Sequence, residues 1–190
     1  METDQQTCVE NAVAWALRHL GETSYASRCL AFVEDAYERS NRLEVFAGDF
    51  AGESAELYAV RDETGAPPRG AFAFYDTTGE LFGRRRNWGH VGLGLGDGRV
   101  VHAWDTVRVD HYLEVQDLAG PAGWDPCRWI GWAPVERVLR GCRPKDWTPS
   151  GDAATAARSM QRDRFDPAPA TLAPPGRGPG ETPARDRRAQ

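Results

Sequence analysis

Two histidines and one cysteine are the residues of this 190-residue sequence whose types suggest chemistry. His90 and His102 lie in a glycine-rich segment that reads GHVGLGLGDGRVVHAW, and Cys29 opens an apolar stripe in YASRCLAFVEDAY. A thiol, an imidazole base and a third polar group that orients the base form a common set for nucleophilic acyl transfer. The sequence therefore suggests thiol acyl-transfer chemistry, provided that the fold brings these three residues together.

The turn of the glycine-rich segment decides whether the two histidines share a face. A two-residue turn would put them on opposite faces, whereas a three-residue turn at 96–98, with Gly98 left-handed, pairs Gly92 with His102. We expect the second register, because it separates polar from apolar side chains. His90 and His102 then become diagonal neighbours, about 7 Å apart at Cβ.

Cys29 is expected at or near the start of a second helix. The TxxE pattern at 7–10 predicts the start of a first helix, and the apolar stripe at 29–37 predicts the second. A thiol at a helix start meets the positive end of the helix dipole, which would lower its pKa below about 8.5. Gly92 and Gly94 would let this helix start approach the histidine face, and main-chain N–H groups there would donate to a developing oxyanion.

The rest of the chain supplies the elements that must position these residues. Strand-like segments recur at 71–75, 90–95, 99–104, 107–112 and 128–132, with a turn near 78–79. In the connection at 41–69, only the prolines at 67 and 68 give a clear signal, a break in regular structure. Two helices followed by about five strands, without β-α-β alternation, indicate an α+β fold with N-terminal helices packed on an antiparallel sheet.

These motifs together resemble the NlpC/P60 family of papain-like cysteine peptidases. The resemblance rests on the segment around Cys29, on PPRGAFAFYD, on the segment that holds His90 and His102, and on WIGWAP, and it spans roughly residues 7 to 140. It implies a papain-like fold and a bacterial cell-wall hydrolase that cleaves peptidoglycan stem peptides, often next to D-glutamate. By resemblance Cys29 is the nucleophile, His90 the base and His102 the third residue. Tyr25 is similar to a family tyrosine near the nucleophile.

The sequence departs from the family pattern at two places. The residues at 28–31 read Arg-Cys-Leu-Ala where the family commonly has Asp-Cys-Ser-Gly, and Gly70 is followed by Ala71 where the family has Asp. The missing Asp and Ser normally shape the substrate pocket. A related amidase or acyltransferase on the same scaffold, and a catalytically silent domain that binds peptides, are the alternative functions.

Three further residues are candidates for substrate binding beside Tyr25. Arg86 ends an arginine run at 84–86 that would meet the carboxylates of a peptide stem or lie in a solvated loop. Trp88 and Trp104 would wall a substrate groove or pack in the core.

Plainer interpretations of the three chemical residues remain open. A cysteine on an apolar helical stripe is ordinarily structural, and two strand histidines are surface residues or a metal pair in many proteins. No clear third and fourth metal ligand lies nearby in sequence, so we expect neither a metal nor an organic cofactor. Cys127 and Cys142 would pair only in an oxidising compartment, since four cysteines in this length form no disulfide framework.

Composition divides the chain into two parts. Residues 148–190 hold seven of the 13 prolines and a net charge of +2, whereas residues 1–147 hold the seven tryptophans and a net charge of −7. We therefore expect a catalytic domain at 1–147 and a disordered tail rich in Pro, Ala and Arg at 148–190. An acidic domain argues against nucleic acid as the main partner. The expected partner is peptidoglycan or a muropeptide, and the oligomeric state is open.

Localisation is constrained only weakly. No apolar run approaches the roughly 20 residues that a membrane helix needs, and the first residues lack the order of a secretory signal. The sequence thus predicts a soluble chain without a membrane span, cytoplasmic or released by a non-Sec route if it acts on the cell wall.

Overall fold

The computed structural model describes residues 2–60 and 65–147. The chain opens with helices α1 (Glu2–Arg18) and α2 (Cys29–Asn41), strand β1 (Leu43–Glu44) and helix α3 (Ala51–Leu57). The central strands are β2 (Phe72–Asp76), β3 (Thr78–Leu81), β4 (Arg84–Asn87), β5 (His90–Gly94), β6 (Arg99–Ala103) and β7 (Val107–His111). A 3₁₀ helix (Glu114–Asp117), strand β8 (Arg128–Ala133), helix α4 (Val135–Val138) and strand β9 (Arg143–Pro144) complete the described part.

Five of these strands form one antiparallel sheet in the order β7-β6-β5-β2-β8. β1 pairs with β9 and β3 pairs with β4 in two small antiparallel sheets. The predicted α+β class, with helices beside an antiparallel sheet of five strands, is confirmed. Consecutive strands β5, β6 and β7 are neighbours, so the segment with both histidines lies inside the sheet.

Alternation along the strands gives the sheet two different faces. One face packs on α1 and α2, and its core residues include Phe32 and Val33 of α2 with Phe72, Val91 and Leu93 of the strands, each fully buried. The opposite face holds a second, smaller cluster, whose buried members are Ala73, Tyr75, Val100, Val115 and Cys127. The connection between β7 and β8 packs over this second face. Both sheet faces are therefore closed to solvent over much of their area.

The predicted second helix is confirmed, whereas the predicted start of the first is wrong. α2 begins at Cys29, as its apolar stripe indicates. α1 begins at Glu2, so the TxxE pattern at 7–10 lies inside it rather than at its cap. The residues before the pattern include Gln5 and Gln6, which are good helix formers and continue the helix toward the N-terminus.

The turn expected near 78–79 is also wrong, because these residues belong to β3. The hairpin turns instead at Phe82 and Gly83, which both have positive φ, and the arginines at 84–86 form β4 rather than a loop. Gly79 serves packing instead of a turn, since a Cβ at this position would lie 2.0 Å from the Trp124 ring.

Three further expectations concern the tail, the cysteines and membrane-spanning helices. The predicted disordered tail, 148–190, lies outside the described residues. All four cysteines are free thiols, so Cys127 and Cys142 form no disulfide. Within the described ranges, no helix combines the length and the apolar character that crossing a membrane requires.

Candidate active site

The β5–β6 hairpin has the register that separates polar from apolar side chains. Gly92 pairs with His102, the Leu95 N–H donates to the Arg99 carbonyl at 2.8 Å, and Gly98 is left-handed at φ +84°. The three-residue turn is confirmed. The two histidines consequently share the sheet face opposite α1 and α2.

The two histidines are hydrogen-bonded to each other. His90 Nε2 lies 2.8 Å from His102 Nδ1, and the two side chains are buried, with 4% and 0% of their surface exposed. The His90 imidazole also packs edge-on against the Trp104 ring, at 4.9 Å between the ring centroids. Trp104 is also hydrogen-bonded to the connection between β7 and β8, because its indole N–H donates to the Ala119 carbonyl at 3.2 Å.

Two residues that sequence reasoning missed extend this chain. His102 Nε2 lies 2.9 Å from Asp110 Oδ2, and Arg108 donates to the same carboxylate through Nε at 2.6 Å and Nη2 at 2.9 Å. The β6–β7 register, His102 opposite Arg108 and Val100 opposite Asp110, puts these side chains on one face. A register argument carried one strand further would have found them.

Burial and pairing set the ionisation of this chain. Burial holds the pKa of His90 well below its usual value, and the neighbouring His102 lowers it further. The hydrogen bond from His102, joined by those from Arg108, holds the pKa of Asp110 well below its usual range. At neutral pH the site therefore contains a neutral His90 imidazole and an ionised Asp110 carboxylate.

The start of α2 is fixed to the sheet by the main chain that precedes it. The Gly21 N–H donates to the Val107 carbonyl and the Val107 N–H donates to the Glu22 carbonyl, both at 2.8 Å. Ser27, in the left-handed region at φ 61°, donates its N–H to the Trp104 carbonyl at 3.3 Å. These bonds join the helix start to the ends of β6 and β7. The position of Cys29 is thus set by the strands that carry His102 and Asp110.

The Cys29 thiol lies at the end of the β5–β6 seam, half-buried. The main-chain N–H groups of Val91, Leu30 and Cys29 itself lie close enough to the sulfur to favour its thiolate form. The β5–β6 pairing stops at Gly92, so the Val91 N–H is the first beyond the ladder. The sulfur thus lies close to Val91, the residue that follows His90 in the chain.

The expectation of a lowered thiol pKa is wrong. Burial raises the pKa of Cys29 to about 11, because removing the thiolate from water outweighs the N–H groups of Val91, Leu30 and Cys29 itself. The expected approach of α2 to the glycine face is wrong as well. α2 packs on the other face, and Gly94 is needed because a Cβ there would lie 2.4 Å from the Pro68 carbonyl oxygen.

Of the substrate-binding candidates, the structure brings only Trp104 into contact with the histidines. The Tyr25 hydroxyl donates to Asp35 at 2.8 Å, and its ring packs on Phe32 at 5.4 Å between centroids. Trp88 is buried, with its indole N–H donating to the Gly79 carbonyl, so core packing describes it.

Arg86 stacks on aromatic rings away from the histidines. Its guanidinium carbon lies 4.1 Å from the Phe50 ring centre and 5.2 Å from that of Trp88. The arginine side chain remains exposed on β4. Its contacts therefore join β4 to the residue before α3, and they leave its predicted role toward a carboxylate without a structural link to His90.

If the two histidines were a metal pair, they would need further ligands, and the part of the chain that the structure describes provides none. There, no group of three or more His, Cys, Asp or Glu side chains is arranged to hold a metal ion. The hydrogen bonds of His90 and His102 instead run from ring to ring and on to Asp110.

Comparison of the chain with protein-family models, with curated proteins and with solved structures gives no match in any of the three. The resemblance to the NlpC/P60 family therefore rests on the sequence motifs quoted above.

Proposed function

We propose that this protein is a cysteine hydrolase of the papain-like NlpC/P60 type, which cleaves an amide bond through a thioester acyl-enzyme. One observation carries the proposal. The Cys29 sulfur lies at the start of a helix and close to the Val91 N–H, and Val91 follows in the chain a His90 that is hydrogen-bonded to a second histidine. In this proposal Cys29 is the nucleophile, His90 the base and His102 the group that orients the base.

In the first half-reaction, Cys29 attacks the carbonyl carbon of the substrate amide. The His90 ring takes the thiol proton as the S–C bond forms. The C=O electron pair moves onto oxygen. When the tetrahedral intermediate collapses, the C–N bond breaks and the imidazolium returns the proton to the leaving amine. The product of this half-reaction is a thioester on Cys29.

In the second half-reaction, water attacks the thioester and His90 takes one of its protons. Collapse breaks the C–S bond, and the proton on the ring passes to the sulfur, which restores the thiol. The raised pKa of Cys29 and the lowered pKa of His90 both favour this neutral resting pair. The proposed enzyme therefore activates its thiol by general-base catalysis during attack, without a preformed thiolate–imidazolium pair.

The first turn of α2 supplies donors for the oxyanion. The first helical hydrogen bond runs from the Phe32 N–H to the Arg28 carbonyl, and no side chain caps the helix start. The N–H groups of Cys29 and Leu30 consequently have no acceptor within the helix, and both lie close to the thiol sulfur. Donors in this position stabilise the negative oxygen of a tetrahedral intermediate formed on that sulfur.

The substrate class follows from the motif resemblance: we propose a peptidoglycan stem peptide or a muropeptide. The test is to incubate the full-length protein with purified muropeptides and to identify the fragments by mass. We expect cleavage of an amide bond in the stem, with none in Cys29→Ala or His90→Ala. Cleavage that persists in Cys29→Ala would overturn the proposal.

Three outcomes separate the alternatives with the same proteins. Transfer of the acyl group to an added amine in place of water would indicate an acyltransferase. Cleavage of other amides, with every stem peptide intact, would indicate an amidase of different substrate class. Binding of muropeptides without any covalent change on Cys29 would indicate a catalytically silent domain.

A further inference from the structure

Beyond the histidine pair, we infer that Asp110, held by Arg108, is a positioning residue that fixes the tautomers of both histidines and makes Nδ1 of His90 the base. This inference rests on the proposed function for its catalytic meaning, and on the hydrogen-bond chain for its structure. Asp110 is absent from the motifs that support the family resemblance.

The argument starts at the ionised carboxylate. Arg108 donates two hydrogen bonds to Asp110, through Nε and Nη2, and this pairing keeps the carboxylate charged. An ionised carboxylate can only accept hydrogen bonds. The contact of 2.9 Å between Asp110 Oδ2 and His102 Nε2 therefore requires the proton to be on His102 Nε2.

The same logic passes from one ring to the next. In the neutral form of His102, a proton on Nε2 leaves a lone pair on Nδ1, so Nδ1 is an acceptor. His90 Nε2, at 2.8 Å, must then be the donor in the contact between the rings. The lone pair of His90 is then on Nδ1, and Nδ1 is the only nitrogen of this ring that can accept the Cys29 proton.

Burial makes this assignment consequential. His102 is fully buried, and Asp110 is largely covered, with 14% of its side chain exposed. A donor left facing a donor in this environment would cost about 1–3 kcal/mol, so the reversed tautomers are disfavoured together. The negative charge of Asp110 also stabilises the proton that His90 gains during attack, because the positive charge spreads along the chain.

The test reads the tautomers directly, without any substrate. Long-range ¹H–¹⁵N spectra of the ¹⁵N-labelled full chain distinguish Nε2–H from Nδ1–H rings. The four histidines are assigned with single His→Gln variants. We expect Nε2–H for both His90 and His102 at neutral pH. An Nδ1–H tautomer on either ring of the wild-type protein would overturn the inference.

Substitution of Asp110 tests the cause. Asp110→Asn has the same shape but replaces one acceptor oxygen by a donor amide, so we expect both rings to lose the pure Nε2–H signature. Asp105→Asn is the matched control, since Asp105 also pairs with Arg108, at 3.9 Å, and does not share the His102 contact. Unchanged ring tautomers in Asp110→Asn would contradict the inference, as would equal changes in both variants.

A chemical readout separates this inference from the proposed function. We expect acetylation of Cys29 by p-nitrophenyl acetate to slow by about ten- to a hundredfold in Asp110→Asn. Asp110→Glu should recover part of the rate, and Asp105→Asn should match the wild type. If Cys29 were never acetylated while both rings had the expected tautomers, the proposed function would be wrong. The inferred hydrogen-bond chain from His90 to Asp110 would still hold. An unchanged acetylation rate in Asp110→Asn would contradict only the positioning role of Asp110.

Discussion

The two faces of the five-stranded sheet are both buried, but by different kinds of side chain. On the helix face, Val91 and Leu93 of β5 pack among apolar side chains and need no partners beyond contact. On the other face of the same strand pair, His90 and His102 are buried only because each ring nitrogen in the chain toward Asp110 is paired. Apolar alternation suffices for the first face, whereas the second requires specific polar pairing, which is typical of a site that performs chemistry.

The largest expected effect is on chemistry, from the histidine face. His90→Gln removes the base but can keep a hydrogen bond to His102, so it should slow Cys29 acetylation by about 10²- to 10⁴-fold. The free energy of unfolding should fall by only about 1–2 kcal/mol. Acetylation kinetics and urea unfolding of the same preparation measure both. A wild-type rate in this variant would show that the two faces do not differ in the proposed way.

The matched change on the helix face should do the reverse. Leu93→Ala, two residues after Val91 on the same side of β5, creates a cavity beside α2 and should lower the free energy of unfolding by about 2–5 kcal/mol. The acetylation rate per folded molecule should not change, because Leu93 lies on the sheet face opposite the histidine chain. Urea unfolding gives the first quantity. A loss of rate larger than the loss of folded protein would mean that the faces are coupled.

The buried thiol should be slow with a simple alkylating agent. With a pKa of about 11, Cys29 should react with iodoacetamide at about pH 7 more than a hundredfold slower than a free thiol, and the rate should rise toward pH 11. Acetylation is expected to be less disfavoured, since only that reaction forms an oxyanion that the N–H groups of α2 can stabilise. Peptide mass mapping follows each cysteine separately. Rapid alkylation near pH 7 would instead indicate a preformed thiolate.

A smaller effect is expected on the pH dependence of stability. His90 has a lowered pKa in the folded protein, so the unfolded chain binds a proton more readily, and the stabilising contribution present above pH 6.5 is lost as the pH falls. Between about pH 7 and pH 5 this residue should remove at most about 2 kcal/mol. Urea unfolding of the wild type and His90→Gln at both pH values isolates the contribution. Equal pH dependence in the two proteins would contradict a neutral, buried His90.

Much of the framework could be predicted from the sequence because local patterns determine it. Alternating side chains and a glycine turn at 96–98 are enough to set the register of Gly92 and His102. The apolar stripe after Cys29 is likewise enough to place α2. These are the parts of the site that depend on spacing within a single hairpin or helix.

The parts that could not be predicted depend on tertiary structure or on unusual local conformations. The thiol pKa follows from burial between α2 and β5, which no local pattern reports. The β3–β4 turn was missed because Phe82 adopts a positive φ that bulky residues rarely take. Strands β1 and β9 pair Leu43 with Pro144, and a pairing at such a separation has no local signal.

The most direct test of the central claim is the covalent labelling of Cys29 by p-nitrophenyl acetate at about pH 7. The account predicts a burst of nitrophenolate and an acetyl group on the Cys29 peptide, both absent from Cys29→Ala and retained in Cys142→Ala, which alters another half-buried free cysteine. A burst of equal size in Cys29→Ala, or an acetyl group found only on other residues, would contradict it.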